Sequence, residues 1–397
     1  GGALVPATLT TVDAILKEVY GPRLEDQLQN ETPATSRIER TSDGIVETVG
    51  GKYVDFPIRV GRNHGMGYRS ENEQLPASGQ QAYAEVHVPL RYGYARTRIT
   101  GQAMDLAEKN YQAFASALDN EMEYLKDDVA KDGNRIAYGD GTGLMASLTD
   151  TATSASHTVD NAQYLEIGQI VDVLVRSSGA TVLLNTTIVD IVGLTVTFGA
   201  SFTAALTHGV YRQGSYGREP SGMGIILSDS VALHGLNPAT QRKWAANIEG
   251  NAGVLRALSE GLMIKVADRI RTASGKRPSV IFNNLGVRRA YFNLLVQQRR
   301  YTDTKEYAGG FQGLPFNYGK EIPVVEDVDC LPNRMNFMTE SEIKVYRSKG
   351  WHWMDKDGTT LKWVRDFDAW EAVLRQYSEI GTTQRNAQGA LTDLIEG

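Results

Sequence analysis

Apolar positions along the chain switch between helical and strand periods, and the switches divide it into segments. Near the start, Val12, Ile15, Leu16 and Val19 fall at helical spacing before Gly21-Pro22 ends the run, so residues 1–40 are read as an extended arm carrying one short helix. Lys52–Val60 alternates Tyr53, Asp55 and Pro57 against Val54, Phe56 and Ile58, and Ala82–Thr100 sets Tyr83, Glu85 and His87 against Ala84, Val86 and Val88. A period of two fits half-buried strands, and Pro57 and Pro89 place them at edges or in unpaired positions. Between them lies GRNHGMGYRSENEQLPA (residues 61–77), with glycines at 61, 65 and 67. Two strands and a polar tip make a long finger. An isolated hairpin is marginally stable in water, so the finger is expected to lie on another surface.

The clearest helix follows. Met104, Ala107, Tyr111, Phe114, Leu118, Met122, Leu125 and Val129 hold one apolar stripe, and Gly133-Asn134 offers a stop. Glu108, Lys109, Asp119, Glu123, Lys126 and Asp127 make its solvated face. Short strand candidates then crowd together at Ile167–Val175, Ala180–Leu184, Thr186–Ile191, Thr195–Phe198 and Val210–Gln213, which reads as a small barrel or sandwich. Residues 216–245 are rich in loop signals. Leu255, Leu258, Leu262, Val266 and Ile270 predict a second helix; Ser279–Phe282 predicts a strand whose Asn283-Asn284 caps a third helix over 285–300. The last quarter predicts strands at Ile322–Val325, Arg334–Met338 and Lys344–Arg347, then a hairpin in GWHWMDKDGTTLKWV turning at Asp357-Gly358. The tail from Asp366 is expected to begin with a partly helical segment. No repeat of fixed period is present.

The totals narrow the function classes. A chain of 397 residues with 41% hydrophobic and 22% charged residues is an ordinary globular composition with room for several substructures. No apolar run reaches the length of a membrane-spanning helix, and GGALVPATLT lacks the basic start and apolar core of a secretory signal. Cys330 is the single cysteine, so neither an internal disulfide nor a CxxC metal or redox site can form. A net charge of −6 argues against tight non-specific DNA binding through a dense basic face.

Catalytic constellations are missing. GxSxG, HExxH and GxxxxGK[ST] do not occur, and the glycines of 61–67 fit neither a phosphate loop nor a dinucleotide fingerprint. His64, His87, His157, His208, His234 and His352 are scattered, which fits ordinary polar or partly buried histidines better than a metal site. Asp355-Lys-Asp357-Gly358 resembles the start of a calcium loop but lacks its later ligands, so a hairpin turn is the simpler reading. Trp351, Trp353, Trp363 and Trp370 could form a sugar-stacking platform; the alternation of Trp351 and Trp353 favours packing a sheet against a helix instead. Asp127-Asp128 and Glu326-Asp327 are read as solvent-facing charges rather than an acid–base pair. No catalytic, cofactor-binding or metal-binding residue is expected, and no cofactor.

The order of parts carries more than any one motif. An arm, a finger, a long helix, a strand-rich stretch, an α/β stretch and a β-rich close, together with GMGIIL (222–227), PSVIFNN (278–284), FQGLPF with KEIPVV (311–325) and WEAVLRQYSEIGTTQRNAQGALTDL (370–394), resemble the major capsid protein of tailed double-stranded-DNA bacteriophages, the Hong Kong 97 fold. The resemblance spans essentially the whole chain. It implies an α+β fold with an N-terminal arm (1–40), an extended-loop hairpin (41–101), a peripheral domain with the spine helix (102–149 and 321–397), a β-rich insertion (150–215) and an axial domain (216–320). It implies a non-enzymatic, structural subunit that self-assembles as pentamers and hexamers into an icosahedral shell, assembled in the host cytoplasm and located in the virion. The implied partners are other copies of the chain, a scaffolding protein, a portal, a decoration protein and packaged double-stranded DNA held non-specifically, with no membrane.

Some members of that family weld neighbouring extended loops through a lysine–asparagine isopeptide bond. Between Tyr53 and Thr100 this chain has no lysine, and Lys52 lies at the base of the finger. A non-covalent shell is therefore expected, with Arg59, Arg62, Arg69, Glu71, Glu73, Arg91, Arg96 and Arg98 as inter-subunit contacts and Gly61, Gly65 and Gly67 as hinges. The short N-terminal segment is expected to leave scaffolding to a separate protein or to a leader already removed. Two alternatives stand beside this reading. One is an encapsulin-type nanocompartment shell, whose members tend to be shorter and to lack such an insertion. The other is a carbohydrate-binding or carbohydrate-processing enzyme using the tryptophan cluster, which predicts a small oligomer with a carboxylate-lined cleft.

Overall fold

The computed structural model describes residues 31–40, 45–47, 53–102, 111–297, 305–307, 311–355 and 360–397. The expected helix at Val12–Val19, the start of the long helix and the Asp357-Gly358 turn lie outside these residues. Three sheets and the finger account for the strands. The central one has seven strands in the order Asn247–Glu249, Gly389–Leu391, Met335–Met338, Val280–Asn283, Glu321–Glu326, Phe311–Asn317 and Lys305–Tyr307. Val280–Asn283 is buried along its whole length, because apolar layers cover both faces of the sheet. Ile281, Val324 and Phe337 pack on helices Glu260–Ser274 and Leu285–Gln297, through Met263, Val266, Ile270 and Val287. Val280, Phe282, Val325 and Met338 face the other way, onto Tyr138, Met223 and Trp244. The first helix starts where Ser259 accepts the Leu262 N–H and stops at Gly275, whose φ of +77° suits glycine. Asn284 caps the second by accepting the Val287 N–H at 2.9 Å, as its sequence predicts.

The long helix runs Tyr111–Tyr138, about 40 Å at 1.5 Å per residue. It passes straight through Gly133-Asn134 instead of stopping there. Asn134 is fully buried and spends its side chain on Asp327 and Asp329 rather than on a cap.

A five-stranded sheet holds Ile343–Trp353 against Ala369–Thr382, which pairs on its other edge with Arg91–Thr100. The tail segment expected to be partly helical is thus a strand of 14 residues. Of the two tryptophans expected to pack this sheet against a helix, Trp351 is 39% exposed and Trp353 half-buried; the fully buried tryptophan is Trp244.

The β-rich stretch forms six antiparallel strands in the order Leu144–Ser147, His208–Arg212, Ile170–Val175, Thr181–Val192, Thr195–Thr203 and Thr153–Thr158. The two edges meet through a Leu148–Val159 bridge, which rolls the sheet into a small barrel. Val171, Val173, Ile188, Val196, Phe198 and Val210 fill it. The barrel takes in Leu144–Ser147, ahead of residue 150, and the seven-stranded sheet draws strands from both sides of residue 320.

Candidate assembly surfaces

Among the described residues, strands Tyr53–Gly61 and Ala82–Pro89 pair only with each other, from Tyr53 opposite Pro89 to Gly61 opposite Ala82. Val86 and Val88 are buried near the root, where Val54, Phe56 and Ile58 pack on the main core. On the outer face the Asp55 carboxylate meets His87 Nδ1, and the Tyr53 and His87 rings lie 4.0 Å apart. Beyond Gly61 the tip is tied to itself. Asn63 donates to the Gly79 carbonyl at 2.9 Å and accepts the Gly65 N–H at 2.7 Å; Arg69 Nε donates to the Gln74 carbonyl at 2.9 Å; Glu73 accepts the Ser70 N–H at 2.8 Å. A Cβ at Gly61 would stand 2.8 Å from the Ala82 Cβ, and one at Gly65 would stand 2.7 Å from the Gly79 nitrogen. Close approach of the two sides of the finger is thus one physical reason for glycine at both positions.

The candidate contact residues fall into two groups. Arg59, Arg62, Arg69, Glu71 and Glu73 are exposed on the finger, and no ion pair among the described residues engages Arg59, Arg62 or Glu71. Arg91, Arg96 and Arg98 lie instead on the strand that enters the five-stranded sheet, and each has a partner within the chain. Arg91 Nε is 3.5 Å from Glu379, Arg96 is 3.5 Å from Glu371, and the Arg98 guanidinium lies 4.3 Å from the centre of the Phe367 ring.

The finger root rests on a buried polar junction that sequence reasoning missed. Glu379 is fully buried, accepts the Ser221 N–H at 2.5 Å, and has its pKa pushed up to about 7 by burial against those favourable contacts. His234 is also buried and holds the finger by accepting the His87 N–H at its carbonyl, 3.0 Å away. Burial, helped by Arg385, Arg91 and His87, lowers its pKa to about 4.

Two quoted motifs explain each other nearby. Arg385, in TTQRNA, is fully buried and donates to the carbonyls of Ile226, Val231 and Ile225 at 3.0, 2.8 and 2.6 Å, so it closes the end of the GMGIIL turn. A Cβ at Gly222 would lie 2.3 Å from the Ile136 carbonyl, and one at Gly224 would lie 2.8 Å from that of Gly139. The two glycines let this turn sit against the last turn of the long helix. Helix Pro33–Arg40 is fixed there too. Its Ala34 N–H donates to Asn134 at 3.1 Å and to Asp327 at 3.3 Å, which supplies the anionic and polar caps that its first turn needs. Asp327 is therefore a buried cap, not a solvent-facing charge, and burial raises its pKa.

No site for chemistry emerges among the described residues. No cluster of potential ligands there could hold a metal ion. His157 is a core residue, held by Asp150 at 3.1 Å and the Ser154 carbonyl at 2.9 Å and packed on Phe202. A cavity of about 700 Å³ beside helix Glu260–Ser274 is an open groove lined by Lys265, Asp268 and Arg269.

No protein-family model matches the sequence, and no curated protein does. In three dimensions the chain superposes on a subunit of the cyanophage A-1(L) capsid with a TM-score of 0.54 and 14% identity, covering 94% of this chain and 95% of that one. This is the Hong Kong 97 capsid fold. Looser likenesses are to the capsid of the native GTA particle (TM-score 0.48, 11% identity, 99% and 100% covered) and to the holo-SrpI encapsulin complex from Synechococcus elongatus (0.47, 7%, 99% and 97%). The finger, the long helix and the β-rich barrel follow in the order expected from the sequence.

Proposed function

We propose that the chain is a structural shell subunit, a phage-type major capsid protein, with no enzymatic role. The observation that carries this reading is the capsid-subunit fold across nearly the full length of both chains. A self-tied finger with an exposed, partly apolar tip supports it. In this reading the finger is the extended loop (41–101) lying across a neighbour. The long helix and five-stranded sheet are the peripheral domain (102–149 and 321–397), residues 216–320 belong to the axial domain, and the barrel is an insertion. Copies associate as pentamers and hexamers around double-stranded DNA in the virion, with scaffolding, portal and decoration proteins as partners. Arg59, Arg62, Arg69, Glu71 and Glu73 form the contact set on the finger. Arg91, Arg96 and Arg98 join them at the root.

Expression of the full chain with and without co-expressed phage-type scaffolding, followed by negative-stain microscopy, tests the proposal. Closed icosahedral particles are the expected result, and boiled particles should run as single subunits on SDS gels. Shells holding a cargo protein would move the chain to a nanocompartment role. A persistent small oligomer under every condition would end the shell reading.

A further inference from the structure

A tight turn closes on the finger root and carries a buried histidine. Leu233 and Leu236 exchange backbone hydrogen bonds at 3.0 and 3.1 Å, and the two residues between them are left-handed, His234 at φ +50° and Gly235 at +83°. This is the geometry of a two-residue hairpin turn, which glycine adopts freely and histidine only at a cost. The turn is pinned on both sides. The Leu233 carbonyl accepts the Trp244 indole N–H at 3.1 Å, and the His234 carbonyl accepts the His87 N–H of the finger strand at 3.0 Å. Neither ring nitrogen of His234 has a hydrogen-bond partner among the described residues. A Cβ at Gly381 would stand 3.4 Å from Cε1 and Nε2 of this ring and 3.0 Å from the Tyr346 ring, so the five-stranded sheet closes over it. An apolar side chain would fill the space without two orphaned polar atoms.

The charges that bear on the ring come from three segments and are all positive: Arg385 in TTQRNA, Arg91 on the strand entering the five-stranded sheet, and His87, once protonated, on the finger. The carboxylates nearby serve those groups instead. Glu379 lies 3.5 Å from Arg91, Asp55 holds His87 Nδ1, and Asp229 acts on Arg385. Tyr346 keeps its proton up to about 12 and supplies no counter-charge. Glu379 takes up a proton at about 7 and His234 only near 4, so that carboxylate is already neutral when the histidine charges.

We infer that the Leu233–Leu236 turn is an acid-released latch: a proton on His234 drives the turn from its seat and parts the finger strand from the body at His87. A buried imidazolium beside two guanidinium groups and without an acceptor is stabilised only by reaching water. Reaching water moves the ring, and with it the carbonyl that holds His87. A side chain held near 4 when enclosed and at 6.5 when free makes this opening about fiftyfold easier at pH 4.5 than at pH 7. The latch belongs to the single chain and stands apart from the shell-subunit reading.

Hydrogen exchange read by mass spectrometry on the full-length chain tests this, at pH 7 and pH 4.5, with each rate divided by that of the unstructured peptide at the same pH. Peptides over 82–90 and 230–240 should open about fiftyfold more readily in acid, while barrel peptides over 170–203 change by no more than about threefold. His234→Asn keeps a residue that tolerates the left-handed turn and takes up no proton in this range, so it should flatten the acid response of both peptides. An equal rise in the barrel would mean global acid unfolding and would overturn the latch. So would a wild-type 82–90 peptide indifferent to acid, or a His234→Asn chain in which that peptide still loosens. If the Asn variant does not fold, ¹⁵N-histidine NMR of the wild-type chain decides instead. One imidazole should stay neutral at pH 5 and charge in step with the loosening of 82–90; six imidazoles all charged by pH 5.5 would overturn the inference.

Discussion

The barrel and the finger are made of the same material, antiparallel hairpins with period-two patterning, and end in opposite conditions. The barrel joins its edges through Leu148 and Val159 and buries Val171, Val173, Ile188, Val196 and Val210 completely. The finger has no third strand among the described residues; Val86 and Val88 are buried at its root, while Met66, Tyr68 and Leu75 stand in solvent at its tip. The same local pattern thus yields a self-sufficient unit in one place and an incomplete one in the other. What decides is whether each strand finds a partner within the chain. Stability in the barrel belongs to the subunit, and in the proposed shell that of the finger would belong to the assembly.

The sharpest way to break that comparison is to replace residues 62–81 with a two-residue Asn-Gly turn. Particle yield should fall to nothing, while the melting temperature of the free subunit moves by no more than about 2 °C. A collapse of the free subunit would mean that the finger belongs to its core after all. Next in size, Phe198→Ala in the barrel should cost about 3–5 kcal/mol of subunit stability by chemical denaturation, whereas Leu75→Ala on the tip should stay within about 0.5 kcal/mol. Equal costs would erase the distinction.

The smallest effect lies at the junction between finger and body. Glu379 binds its proton more tightly when folded, at about 7 against an ordinary 4.5, so its contribution is complete below 4.5 and is lost as pH rises through 7. His234 works in the opposite sense: held near 4 against an ordinary 6.5, it contributes fully above 6.5 and loses that contribution as pH falls toward 4. Glu379→Gln should therefore steepen the loss of thermal stability on acidification and raise the melting temperature at pH 8 by a few degrees. A pH profile unchanged by the substitution would show that the carboxylate is solvated in the folded subunit.

Much of this architecture is legible in the chain because local pattern and tertiary environment agree. The long helix has an unbroken stripe, the finger strands alternate cleanly, and Asn284 sits where a cap is needed. Legibility fails where a distant segment overrules the pattern. Trp370, Val373, Leu374 and Tyr377 carry helical spacing, yet Arg91–Thr100 on one edge and Ile343–Trp353 on the other draw the segment into a strand. Gly133-Asn134 reads as a stop, yet Asn134 is claimed by Asp327 and by the Ala34 N–H, each far away in sequence. The candidate contacts divide in the same way. Residues on the tip could be found from an exposed polar loop alone. The partners of Arg91 and Arg96 lie on a strand nearly three hundred positions later, and the roles of Arg385 and Glu379 exist only once the chain has closed on them.

The short strand Gly389–Leu391 sits inside the central sheet, between Asn247–Glu249 and Met335–Met338, rather than on its rim. That strand joins the two parts of the sheet. Until residues 389–391 leave the ribosome, the sheet is split at that gap, and Arg385 has only just become available to close the turn at Ile225 and Ile226. A chain cut before Gly389 therefore keeps both finger strands but lacks the strand that joins Asn247–Glu249 to Met335–Met338.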